Sequence, residues 1–269
     1  MGGVVVIEGD CIATLRALPA ETFQTCVTSP PYYGLRDYGH AGQIGLEPSP
    51  EEYIARMVEV FREVRRVLRD DGTLWLNLGD SYAGSWGAPG RSGAMAERSI
   101  VSARQIEAHP KRTRTGSVSH LDGIKPKDLL MIPAQVALAL RADGWFLRSD
   151  IIWHKPNPMP ESVRDRPTSA HEHVFLLTKN ARYFYDAEAI AEASEYPPGS
   201  RDDVKRGGFE GKGANPRGQE AFRAIRETRN ARNVWTIATQ AYSGAHFATM
   251  PPDLAERCIK AGTSEKGQC

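Results

Sequence analysis

The sequence predicts an α/β protein built on an open, mostly parallel sheet. Three observations carry this. Short β-branched or aromatic runs alternate with stretches of helical apolar spacing. The opening reads strand, helix, strand, which favours parallel pairing through a right-handed crossover. The second strand runs straight into Ser29-Pro30-Pro31, and paired prolines force the chain out of a sheet.

The elements follow in order. Val4, Val5, Val6 and Ile7 form a short buried strand that ends at Gly9-Asp10. Residues 11–18 have helical spacing and stop before Pro19, and residues 23–27 form the next strand. A helix then starts at Ser49, a good N-cap, with Pro50 at the first helical position and Glu52 completing a capping box. Ile54, Met57, Val58, Phe61, Val64 and Leu68 recur at helical spacing along it. Arg62, Arg65, Arg66 and Arg69 gather toward its C-terminal end, where the helix dipole favours cations. Asp71-Gly72 is a turn before a strand at 73–78, which ends in Gly79-Asp80. Later come a helix from about 133 to 142, strands at 145–153, 173–178 and 234–238, and a last helix at 252–261 that stops at Gly262.

Two stretches break the pattern. Residues 84–120 are rich in Gly, Ser and Arg and read as a mobile insert, either solvated or in contact with nucleic acid. Residues 195–232 are polar and basic, with Arg201, Lys205, Arg206, Lys212 and Arg217 among their cations. The expected division is a core over 1–194, a basic region over 195–232, and a return strand and helix over 233–269.

Composition excludes several classes. The chain has 269 residues and a net charge of +1, so the placement of the cations matters more than their number. No apolar run approaches the ~18 residues that span a bilayer. The apolar start lacks a basic flank and is too short for a signal peptide, and Val6 stands where a myristoylation signal wants Ser or Thr. A cytoplasmic protein with no membrane association is expected. The 4 cysteines show no C-x-x-C spacing, which argues against zinc, and no metal is expected.

The chemistry centres on Thr28-Ser29-Pro30-Pro31-Tyr32. Two prolines stiffen the backbone and remove two N–H donors, leaving carbonyls free to accept. Ser29 adds a hydroxyl acceptor and Tyr32 a flat aromatic face. Such a site suits an –NH₂ group attached to a ring, and it lies at the C-terminal end of a strand, where open α/β sheets bind ligands. A plain proline-rich turn with a buried tyrosine is the competing reading.

These residues resemble the catalytic motif (Asp/Asn/Ser)-Pro-Pro-(Tyr/Phe/Trp) of the beta class of amino-methyltransferases that modify DNA with S-adenosylmethionine. The Ser-first form is similar to the cytosine-N4 members. Other stretches resemble the family in order: Gly9-Asp10 near the cofactor, Asp80 after the next sheet strand, Trp153-His154-Lys155-Pro156-Asn157 beside the catalytic pocket, His171-Glu172-His173 leading into a strand, and His246-Phe247-Ala248-Thr249-Met250-Pro251 over the cofactor. Phe247 and Met250 depart from the usual residues there.

The resemblance implies a Rossmann-like methyltransferase sheet and S-adenosylmethionine as cofactor. Catalysis would fall to Ser29, Pro30, Pro31 and Tyr32. Cofactor contacts would come from Asp10, Thr28, Ser29, Pro30, His246, Phe247, Ala248 and Thr249. A base pocket would be formed by Tyr32, Tyr33, Trp153, Lys155 and Asn157, and region 195–232 would recognise double-stranded DNA. The glycine-rich cofactor loop has no counterpart in strand–turn–helix context, since Phe209-Glu210-Gly211-Lys212-Gly213 follows no apolar strand. The resemblance therefore implies a sheet without its central strands, through a C-terminal truncation or because a second polypeptide supplies them. A homodimer is also compatible. Three functions stay open: cytosine-N4 methylation, adenine-N6 methylation, and DNA binding by a catalytically impaired fragment.

Overall fold

Local signals start the fold. Helix α1 (Cys11–Ala17) is capped by Asp10, whose Oδ1 accepts the Ala13 N–H at 2.9 Å. Strand β1 (Phe23–Thr28) leads to helix α2 (Pro50–Val67). The Ser49 hydroxyl caps α2 by accepting the Glu52 N–H at 3.2 Å, one of the two bonds of a capping box. Then follow β2 (Leu68–Leu78), α3 (Ile132–Ala142), β3 (Phe146–His154), β4 (His171–Thr178), β5 (Glu192–Ala193), β6 (Thr228–Arg229), β7 (Val234–Thr236) and α4 (Pro252–Gly262). This is a computed structural model, and it describes residues 4–40, 42–83, 124–194, 227–240 and 249–265.

Five strands form one sheet in the order β1-β2-β4-β3-β7. β1 and β2 are parallel, as are β3 and β7, while β4 pairs antiparallel with both its neighbours. Four strands therefore run one way and β4 alone opposes them, in keeping with an α/β, mostly parallel sheet. The turn expected at Asp71-Gly72 lies inside β2 as a bulge, where pairing jumps from Phe23↔Leu68 to Thr25↔Thr73.

Helices cover both faces. On one face α2 and α3 pack an aliphatic core that includes Met57, Phe61, Leu74, Leu76, Leu140 and Leu177. On the other, α4 lies over Trp75, Trp153 and Trp235. Gly262 permits this approach, because a Cβ there would sit 2.5 Å from Thr73 Oγ1 and 2.6 Å from Trp75 Nε1. Burial from both sides explains why 73–78 reads as a nearly continuous apolar run.

One expected element does not form. Residues 4–7 make no strand, and their side chains are between 56% and 95% exposed. A strand holds only where a neighbour supplies hydrogen bonds and a layer covers its side chains. Among the described residues, β1 is the outer strand on its side and nothing pairs with residues 4–7.

β5 and β6 form a separate two-stranded ribbon. It closes on the hydrogen bond from Ser194 N–H to the Glu227 carbonyl, 2.8 Å. Glu192 ties it down by accepting from Arg232 at 2.9 Å and from Arg257 on α4 at 3.3 Å. No helix among the described residues is long and apolar enough to cross a membrane.

Candidate functional site

The strand senses bring one edge of the sheet together. β1, β2, β3 and β7 all end there, and the antiparallel β4 begins there. A cavity of about 500 Å³ opens at this edge. Ser29, Pro30, Pro31 and Tyr32 form one wall, Trp153, Lys155 and Glu172 another, and Thr249, Met250 and Pro251 a third. A larger, more open hollow of about 930 Å³ lies between the loop after Asp37 and α2. Its carboxylates, Asp37, Glu47, Glu52 and Glu59, outnumber Arg56 and would repel a phosphate chain.

The motif turn is held from below. Tyr53 of α2 donates its hydroxyl hydrogen to the Pro31 carbonyl at 3.0 Å. The Pro30 carbonyl takes no hydrogen bond from the described residues and belongs to the cavity wall. Ser29 is exposed at the rim. Tyr32 turns its hydroxyl inward, 2.6 Å from Glu172 Oε2 and 3.1 Å from Asn77 Oδ1, while the Ser29 hydroxyl donates to it at 3.2 Å. The Tyr32 ring fits because residue 79 is glycine, where a Cβ would come within 2.7 Å of Tyr32 Cε2. Burial, and then the Glu172 carboxylate, hold the Tyr32 phenol well above its ordinary pKa, so it stays protonated and acts as a donor.

Glu172 is the hub of this cluster. Asn77 Nδ2 donates to the same Oε2 at 3.0 Å and to the His173 carbonyl at 3.1 Å. Lys155 pairs with the other oxygen, Oε1, and its ammonium lies 4.5 Å from the Trp153 ring centroid. Trp153 Nε1 donates to the Ile237 carbonyl at 2.9 Å, which fixes the indole. Asn157 locks the strand ends by accepting from Thr239 N–H at 3.0 Å and donating to its carbonyl at 3.2 Å.

The structure thus gathers Ser29, Pro30, Pro31, Tyr32, Trp153, Lys155 and Thr249 around one cavity. Thr28 ends β1 just before it. Asn157 braces the cavity rather than lining it. Tyr33 is a correction: it is 1% exposed and packs in the aliphatic core against Tyr53, ring centroids 5.5 Å apart, so it takes no part in the cavity. Although the two residues are adjacent in sequence, the Tyr32 hydroxyl enters the polar cluster at Glu172 while the Tyr33 ring is enclosed by the core. Asp10 spends its carboxylate on capping α1 and does not line the cavity. Asp80 likewise accepts the Ser81 and Ile132 N–H groups, at 2.8 and 3.0 Å, and links β2 to α3. His246, Phe247 and Ala248, the cations Arg201, Lys205, Arg206, Lys212 and Arg217, the Phe209–Gly213 pattern and the insert at 84–120 fall outside the described residues.

Sequence reasoning passed over Asn77 as a site residue and saw Glu172 only as part of a family stretch. The signal for Asn77 was a lone amide inside an apolar strand, a position that demands partners. Cys258 is buried as a small core residue, its thiol pushed up to about 12 by burial. Among the described residues no cluster of His, Cys, Asp and Glu could hold a metal ion.

The PvuII cytosine-N4-specific DNA methyltransferase superposes on 96% of this chain and 70% of its own, with a TM-score of 0.55 and 15% identity. Layers and strand order together match the α/β methyltransferase fold. A family model described as DNA methylase, covering N6 and N4 amino-methyltransferases, matches residues 23–269. The type II methyltransferase M.Cfr9I of Citrobacter freundii is 43% identical over 263 residues, which are 98% of this chain and 74% of the relative. M.SmaI of Serratia marcescens is 42% identical over 263 residues, 98% and 76% of the two chains. The chain belongs to this family of DNA methylases and is a DNA methyltransferase of the N4/N6 class.

Proposed function

We propose that this protein transfers a methyl group from S-adenosylmethionine to the exocyclic N4 amine of a cytosine turned out of double-stranded DNA, as the methylating partner of a restriction–modification pair acting in the cytoplasm. The observation that carries the reading is the Ser29-Pro30-Pro31-Tyr32 wall, set at the strand ends with its hydroxyl at the rim and the Pro30 carbonyl beside it. A serine in first place, where adenine-modifying relatives more often carry aspartate, favours cytosine.

The cavity chemistry suits the proposed cofactor. Its acceptors near Ser29 and Pro30 are uncharged, its walls are aromatic and apolar at Trp153 and Met250, and Glu172 is already neutralised by Lys155. Thr28, Ser29, Pro30 and Thr249 would hold the reactive end of S-adenosylmethionine. When bound, that cofactor supplies an electrophilic methyl group on a sulfonium. Turning the base out costs a few kcal/mol. Stacking against the pocket aromatics returns part of that, about 1–3 kcal/mol per base on single-strand precedent. Ser29 Oγ and the Pro30 carbonyl accept the two amine hydrogens and turn the nitrogen lone pair outward, so rate comes mainly from positioning. Ser29 is too weak a base to take a proton first, and its role is to hold the amine. Region 195–232 would supply phosphate and groove contacts through Arg201, Lys205, Arg206, Lys212 and Arg217.

The test is to incubate the protein with plasmid DNA and S-adenosylmethionine, digest to nucleosides and separate them. N4-methylcytosine is expected. N6-methyladenine would move the protein to the adenine branch of its family. Unmodified DNA, with no heat of cofactor binding by calorimetry, would leave a DNA-binding fragment.

A further inference from the structure

We propose that Glu172 is a positioning residue that fixes the Ser29 hydroxyl as an acceptor toward the cavity, so that the pocket selects an amino group over a carbonyl oxygen. The inference rests on the amine-transfer reading above and deepens it.

The argument is a count of protons. Glu172, half-sunk at the start of β4, meets Tyr32 Oη and Asn77 Nδ2 at Oε2 and Lys155 Nζ at Oε1. An ionised carboxylate can only accept, and an ammonium can only donate. Asn77 spends Nδ2 on Glu172 and the His173 carbonyl, so its Oδ1 faces Tyr32 as a second acceptor. The single hydrogen of the Tyr32 hydroxyl must therefore point at Glu172 and Asn77. What Tyr32 shows Ser29 is a lone pair, and the Ser29 hydroxyl has to donate to it, as the 3.2 Å contact records. Ser29 has one hydrogen and has used it inward. Only lone pairs remain on its cavity side.

A cytosine offers its pocket an N4 donor, while a uracil offers an O4 acceptor. A hydroxyl held as acceptor pairs with the first and repels the second. Discrimination at Ser29 is thus set by a carboxylate 143 positions along the chain. Lys155 completes the device by pairing with the other carboxylate oxygen, Oε1, which leaves Oε2 to Tyr32 and Asn77. Replacing Glu172 by glutamine places an –NH₂ donor within reach of Tyr32 Oη. The Tyr32 hydrogen can then turn to Ser29, and the Ser29 hydrogen can face the cavity.

The experiment measures binding without transfer. Wild type, Glu172→Gln, Tyr32→Phe and the double variant are titrated by fluorescence anisotropy against two duplexes. These carry the sequence that wild type modifies, with cytosine or uracil at the target position. The expected result is that Glu172→Gln lowers the cytosine-over-uracil preference about 10- to 100-fold, the effect of a mispaired polar group in a buried site. In the Tyr32→Phe background the same change should have no further effect. A wild-type preference in Glu172→Gln, or an equal loss with and without the Tyr32 hydroxyl, overturns the inference.

Failure of the underlying reading shows separately. If wild type methylates adenine, adenine and hypoxanthine replace the two probe bases and the same comparison decides. If wild type modifies no DNA, a thermal-melt cycle of the four proteins decides. Shifts of the two single variants that simply add overturn the link, and shifts that fail to add support it.

Discussion

At the strand ends, Ser29, Tyr32, Asn77, Glu172 and Lys155 form a connected polar cluster in which one carboxylate takes three donors. Beneath α2 the same sheet carries an aliphatic core in which Leu74, Leu76 and Leu140 are fully buried. The Tyr32 hydroxyl belongs to the first region while its ring rests on the edge of the second, and Tyr33, the next residue, lies wholly in the second. The Tyr32 hydroxyl is fully engaged, whereas the buried Tyr33 hydroxyl finds no hydrogen-bond partner among the described residues. Burial, helped by nearby Glu47, pushes the Tyr33 phenol up to about 12. The difference separates geometry set by bonding from geometry supplied by packing, and the two regions meet where core Tyr53 donates to the Pro31 carbonyl and the Tyr32 ring rests on the core.

The largest expected effect tests the core. Phe61→Ala should cost about 3–5 kcal/mol of unfolding free energy, read from a denaturant titration, because Phe61 is 1% exposed. Next comes the cluster. Ser29→Ala should lower kcat about 100- to 1000-fold, as loss of a single well-placed polar contact to a reacting group does elsewhere. Its melting temperature should match wild type, since Ser29 is exposed. A variant that keeps full activity would remove Ser29 from the reaction.

Gly79→Ala probes the boundary. Its new methyl would press on the Tyr32 ring and costs about 1–3 kcal/mol by overpacking. It should lower stability and methyl transfer together, measured by melting and by radiolabel incorporation. The smallest effect lies far from both regions. Ser49→Ala removes the cap of α2 and should cost about 1 kcal/mol in the same denaturant titration, with transfer unchanged.

Much of this was legible in the sequence. α2 was visible from its cap, first proline and apolar spacing, and α4 from its stop at Gly262, because those signals act over a single turn of helix. The Ser29–Tyr32 wall was legible because two prolines force the chain out of the sheet at a strand end and the motif resembles that of a known family, although the same letters also fit a plain proline-rich turn. The opposed sense of β4 was not, since side-chain alternation is the same in either direction along a strand. Residues 4–7 carried the composition of a strand, but a strand depends on neighbours that local composition does not name. Glu172 and Asn77 meet Tyr32 only after β2 and β4 have paired, so no spacing along the chain announces them. The resemblance implies a base pocket that includes Tyr33, but the folded chain buries that side chain against Tyr53, a placement that depends on how α2 packs and that no local pattern names.

The β5–β6 ribbon has an evolutionary consequence. Ser194 and Glu227 already touch through their backbones, so whatever lies between them starts and finishes at a single point on the surface. Closing a longer excursion from such a point costs little, about 0.6 kcal/mol for each doubling of length. A stretch exchanged between these two points would leave Glu192, Arg232 and Arg257 gripping one another as the chuck of a drill grips whatever bit it is given.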